Sequence, residues 1–139
     1  MQRELAPLVE AATPAGFAPG TAAGLDVAYA RDTDRLAAAV AVLDIATLEL
    51  VDSAVSVGTA GFPYLPGLFA FRELPPLLDA LAGLATTPDI LVCDGQGLAH
   101  PRRFGLACHA GLLTGLPSIG VGKTALGQYH QPGPARGEW

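Results

Sequence analysis

Cysteine is scarce in this chain. Cys93 closes an apolar run and Cys108 lies in a helical stretch, and two such residues supply neither a disulfide framework nor the paired spacing of a zinc site. They read as buried small hydrophobes of a reducing compartment. Long apolar runs are also absent. None reaches membrane-spanning length, and Arg3, Glu4 and Glu10 interrupt the opening residues, so no leading basic-plus-apolar segment is present. A soluble, cytoplasmic protein is the expectation. There is no internal repeat, and no low-complexity tract beyond alanine richness. What remains, 139 residues that are half hydrophobic, is the size of one compact domain, and a mean hydropathy of +0.38 points to heavily buried strands.

Negative charge is missing from one long stretch. The chain carries a net charge of -5, yet no Asp or Glu occurs from Gly95 to Gly137, where Arg102, Arg103, Lys123 and Arg136 fall with all three histidines, His100, His109 and His130. A basic face opposite an acidic body suits phosphate binding, which depends on local charge. The same four cations also fit an ordinary solvated surface.

Residues 1–23 read as a short helix, Arg3 to Ala12, followed by a flexible lead-in rich in small residues, Pro and Gly. Three strand signals follow, at Gly24–Tyr29, Ala38–Leu43 and Leu48–Val57, joined by polar links that suit hairpins and hence an antiparallel meander. Pro75 then opens a predicted helix running to about Leu84, with Leu77, Leu78, Leu81 and Leu84 on one face and Glu73 just before its start. The uninterrupted apolar run Ile90–Cys93 stops at Asp94-Gly95, the pattern of a buried parallel strand whose carboxyl end faces a crevice. A second helix from about Phe104 to Leu113 and a short strand at Ser118–Val121 complete the order β-β-β-α-β-α-β. Residues 24–124 form the expected core, and 125–139 an irregular tail.

An acid in the first strand and another at the end of the fourth correspond to the ribonuclease H-like arrangement, a mixed α/β sheet that sets those strands side by side. Asp26, Glu73 and Asp94 then become a candidate metal site. Hard carboxylate oxygens suit magnesium, which binds few protein groups and serves phosphoryl chemistry. Singly, two of the acids have a plain alternative: an edge or capping role for Asp26, helix-dipole compensation for Glu73. Their joint position carries the assignment. Gly120-Val121-Gly122-Lys123-Thr124 imitates the end of a P-loop, but Pro117 stands where that motif needs glycine, and Gly127 with the prolines beyond it discourages the helix that should follow.

Four strings, in order and in spacing, resemble the motifs of the endonuclease V family across residues 24–124. They are Gly24-Leu25-Asp26-Val27-Ala28-Tyr29; Pro63-Tyr64-Leu65-Pro66-Gly67 with Phe71-Arg72-Glu73; Asp94-Gly95-Gln96-Gly97 continuing through His100-Pro101-Arg102-Arg103 to Ala107; and Ile119-Gly120-Val121-Gly122-Lys123. Gly122 and Cys108 depart from the family, which usually has alanine and commonly serine there.

That resemblance implies a metal-dependent DNA-repair endonuclease. It would cleave the second phosphodiester 3′ to deoxyinosine or another deaminated base, in DNA or in inosine-containing RNA, with Mg2+ as cofactor and Mn2+ as substitute. By the same resemblance Asp26, Glu73 and Asp94 are the metal ligands, and His100 and Lys123 lie near the scissile phosphate. Tyr64 is a wedge that fills the gap left by an extruded base, stiffened by Pro63 and Pro66. Arg102 and Arg103 are expected phosphate contacts, and the Gly95-Gln96-Gly97 turn offers main-chain amides to a nucleotide. His109 reads as a packed or surface histidine. Family members typically run longer, so the expectation includes a shortened C-terminal part, uncovered apolar surface, and a second reading as an inosine-binding module without turnover. Oligomeric state is left open.

Overall fold

The computed structural model describes residues 1–63, 65, 67–126 and 133–135. Five strands, β1 (Thr21–Tyr29), β2 (Arg35–Asp44), β3 (Leu50–Thr59), β4 (Ile90–Asp94) and β5 (Ser118–Val121), form one sheet in the order β3-β2-β1-β4-β5. The β1, β2 and β3 strands are antiparallel neighbours, whereas β1–β4 and β4–β5 are parallel. This is the ribonuclease H-like α/β sheet anticipated from the order of elements. The parallel β1–β4 pair, with Leu25 opposite Cys93, brings the strand carrying Asp26 alongside the one ending in Asp94.

Period-two burial decides which face each acid takes. Ala23 and Leu25 of β1, Ala38, Val40 and Val42 of β2, and Leu91 and Cys93 of β4 are buried under helices α2 (Phe69–Ala82) and α3 (Leu106–Thr114). The alternate residues, Asp26 among them, point to the opposite face. There Val51, Val55, Val57, Ile119 and Val121 are each about half exposed or more.

The predicted start of α2 at Pro75 is corrected. The helix begins at Phe69, after the turn at Gly67, and Pro75 and Pro76 lie inside it. Each removes a backbone donor, but Ala70, Leu74, Leu77 and Ala80 bury a continuous stripe against the sheet, and at roughly 1.5–3 kcal/mol per large apolar side chain that packing outweighs local propensity. Glu73 therefore projects from the helix interior rather than preceding its first turn. The N-terminal helix is also shorter than anticipated: α1 spans Gln2–Leu5, followed by a 3-10 turn at Ala6–Leu8. Gln2, just before the predicted start of that helix, is buried and donates to the carbonyls of Gly67 and Phe104 at 3.1 Å each.

Where β5 meets the Asp94–Gly97 loop the backbones touch. A Cβ at Gly120 would stand 2.5 Å from Gly95 O and from Gly97 N, a clash with main chain that no rotamer relieves. Gly120→Ala should cost about 3 kcal/mol, read as a lower urea midpoint at unchanged slope; an unaltered midpoint would show that this contact yields freely.

Candidate active site

Asp26 is exposed in the middle of β1, Asp94 is partly exposed at the end of β4, and Glu73 is buried on α2, only 4% accessible. They come from three elements, yet they feel one another. Burial is the main reason the Glu73 carboxyl is pushed up to about 7, and the charges of Asp26 and Asp94 add to it. The hydrogen bond from Tyr29, Oη to Oε1 at 2.9 Å, and the nearby Arg72 guanidinium pull the other way. Tyr29 itself is pushed up to about 12 by burial and by Glu73, so in this pair the phenol donates and the carboxylate accepts.

Lys123, on the loop after β5, reaches back to Asp94 with Nζ 2.6 Å from Oδ2. That hydrogen bond and the charges of Asp94, Asp26 and Glu73 raise its pKa. Being 81% exposed, it adds little stability through this pair. Its effect is to set a positive charge beside the acids.

Asp94 and Lys123 also line a cleft of about 320 Å³ with Gly67, Phe69, Gly95, Gln96, His100 and Leu126. On the other side, Asp26 and Asp94 share a shallow depression with Gly24, Ala39 and Val121 on the open sheet face. Asp94 thus stands where the two hollows meet. His100 is buried, and burial lowers its pKa, so it is neutral at pH 7. Its Nδ1 accepts from the Arg102 amide at 3.1 Å, which leaves the proton on Nε2. That nitrogen is shut off from solvent beneath Gly67, whose main chain is its nearest polar partner.

Among the described residues, no three His, Cys, Asp or Glu side chains already stand as a ready metal-binding group. The donor set nonetheless fits a hard divalent cation. Glu73 lies in the field of the other two carboxylates and holds its proton to about pH 7, and an ammonium has been drawn onto Asp94.

Other predicted residues take different places. The Gly95 amide is engaged with Val121 O at 3.0 Å, so it extends the sheet and is not free for a ligand. Gly97 O accepts from the amides of His100 and Gly105, which shapes the turn. Arg102 Nη1 is committed to Gln2 Oε1 at 2.7 Å and Gly67 O at 3.1 Å, bracing the loop that follows Pro63. Arg103 is exposed and left-handed, with φ of 56°. Pro63 is exposed, and Tyr64 and Pro66 lie outside the described residues, as do His130 and Arg136. His109 is buried between Phe71 and Phe104, with ring centroids 5.4 and 5.2 Å away, as a packed histidine. Tyr29, Arg72 and Gln96 were not singled out from sequence. All three stand inside quoted motif strings, three residues after Asp26, one before Glu73 and two after Asp94. Gln96 spans the cleft wall, its Nε2 donating to Thr124 O at 2.7 Å.

Comparison with known proteins bears on the same residues. The endonuclease V family model matches residues 3–139. Endonuclease V of Nocardia farcinica is 57% identical over 138 residues, 99% of this chain and 61% of the relative. The crystal structure of Streptomyces avermitilis endonuclease V superposes with a TM-score of 0.89 at 51% identity, covering 99% of this chain and 61% of that one. A Ciona intestinalis endonuclease V variant, solved with a 23mer DNA containing an inosine followed by a ribo-adenosine, superposes at 0.80 with 27% identity over 88% of this chain and 54% of that one. The chain thus spans about half to three fifths of the length of the relatives it matches.

Proposed function

Because the chain belongs to the endonuclease V family, we propose that it carries the catalytic site of a metal-dependent DNA-repair nuclease that cuts the second phosphodiester 3′ to deoxyinosine. The observation that carries this reading is the junction at Asp94, where an acid cluster and a ligand-sized cleft share one carboxylate and one ammonium. Asp26, Glu73 and Asp94 would hold magnesium, with manganese as its substitute. When bound, the cation supplies positive charge against the reacting phosphate and makes water a stronger nucleophile.

The chain's own groups account for the rest. Lys123 is close enough to steady the negative charge that grows on the phosphate as water attacks phosphorus and the bond to the 3′ oxygen breaks, leaving a 5′-phosphate and a 3′-hydroxyl. The cleft would take the extruded base. His100, in the cleft wall with Asp94 and Lys123, is proposed to lie near the scissile phosphate. Tyr64 is proposed as the wedge and Arg103 as a phosphate contact. Glycine at 67, with φ of 76° beneath His100 and Arg102, keeps the cleft wall thin. No helix among the described residues is long and apolar enough to cross a membrane. The free, buried cysteines support placing the activity in a reducing cytoplasm.

Labelled oligonucleotides that differ only in inosine against adenine test the reading. Nicking of the inosine strand with magnesium and none with chelator is expected, with the Ciona complex as reason to include a strand bearing a ribonucleotide after the inosine. Binding of inosine DNA without a nick would instead make the chain a recognition module, and equal cutting of both strands would refute the assignment of the cleft.

A further inference from the structure

Glu73 is the one acid of the cluster carried by a helix, and its carboxylate is held from outside that helix. Tyr29, the last residue of β1, donates to Oε1 at 2.9 Å. The Tyr29 ring is itself fixed: the Arg72 guanidinium carbon lies 4.8 Å from its centroid. Arg72, whose side chain is only 10% exposed, is anchored in turn, Nη1 to Phe62 O at 2.7 Å and Nη2 to Asp34 Oδ1 at 3.4 Å. A chain of contacts thus runs from Phe62, at the root of the loop bearing Pro63, through Arg72 and Tyr29 to a carboxylate of the acid cluster. Asp26 sits on the same strand, three residues from Tyr29.

We infer that Tyr29, clamped by Arg72, is a positioning residue that fixes the Glu73 carboxylate for metal binding, an inference that rests on the assignment of the acid cluster as a metal site. Carboxylates that ligate metals are commonly oriented by an outer hydrogen bond, and loss of such a partner costs roughly 10–100-fold in metal affinity. Only one oxygen of Glu73 is occupied by Tyr29, so the other is left to a cation. The planar guanidinium of Arg72 is what allows it to lie over the ring while one nitrogen donates to the Phe62 carbonyl and the other to Asp34, a combination that lysine does not reproduce.

Calorimetric titration with Mn2+ of the wild-type chain, Tyr29→Phe, Arg72→Lys and Glu73→Gln tests this, with circular dichroism confirming that each is folded at the titration temperature. Tyr29→Phe keeps the ring and its stack and removes only the hydroxyl. It should bind Mn2+ about tenfold more weakly, Arg72→Lys should follow it in direction, and Glu73→Gln should lose more. Nicking by Tyr29→Phe should recover at high Mn2+ with KM for DNA unchanged, which a general loosening of the fold would not produce. Mn2+ affinity of Tyr29→Phe equal to wild type, with Glu73→Gln impaired, overturns the positioning role alone. Equal affinity of wild type and Glu73→Gln, or no binding by either, overturns the metal-site assignment and this role with it.

Discussion

Asp94→Asn should reduce inosine-dependent nicking on the order of 10³-fold at saturating magnesium. Asp94 is the acid shared by the two hollows and the partner of Lys123, so the change removes a charge from the cluster and releases the ammonium from its 2.6 Å contact. The loss should lie in kcat, because a group that works on charge developing in the transition state is worth little to the ground state. Stability should barely change. The partner Lys123 is 81% exposed, and the amide retains the shape of the acid. Single-turnover rates beside a melting curve separate the two, and a variant that nicks at wild-type rate would remove Asp94 from the chemistry.

Glu73→Gln should lose activity and gain stability. The folded chain holds the Glu73 proton up to about pH 7, whereas the unfolded chain releases it near the ordinary value of 4.5. The stability this group contributes is therefore complete below about pH 4.5 and is lost as pH rises through 7, at most about 1.4 kcal/mol for each pH unit between. By pH 8 in chelator, wild type should be about 3 kcal/mol less stable relative to Glu73→Gln than it is at pH 4.5. His100 and His109 act in the opposite direction. Burial lowers both, so they weaken the fold as pH falls below the usual 6.5. Both chains carry them, and the difference between the chains cancels their effect. Urea denaturation across pH measures it. A difference that does not change with pH would mean that the buried carboxyl is not held protonated, and magnesium added at pH 8 should narrow the gap.

The sheet was legible because its signals are local. The alternation and links of β1 to β3, the apolar run ending at Asp94, and the glycine stop at Gly115, which adopts φ of 70°, each sit within a few residues. The neighbouring placement of Asp26 and Asp94 followed from strand order alone. The start of α2 did not, because Pro75-Pro76 imitates a helical first turn, while the force that carries the helix back to Phe69 is burial of Ala70 and Leu74 under a sheet formed elsewhere in the chain. The contacts that tune the site were hidden for the same reason. Tyr29 and Glu73 are 44 residues apart, and Arg102 and Gln2 are 100 apart. The hold of Arg102 Nη1 on Gln2 and Gly67 could not be read from an arginine in a basic loop. Likewise, the amides of Gly95-Gln96-Gly97 looked available, but β5 takes the first of them.

The most direct measurement is to map the nick. A 5′-labelled duplex with a single inosine, incubated with the chain and magnesium, should yield one product, cut at the second phosphodiester on the 3′ side of the inosine and ending in a 3′-hydroxyl. None should form with chelator or from the adenine duplex. A nick that ignores the inosine, or one that persists in chelator, would contradict the assignment of Asp26, Glu73 and Asp94 as the metal site of an inosine-directed endonuclease.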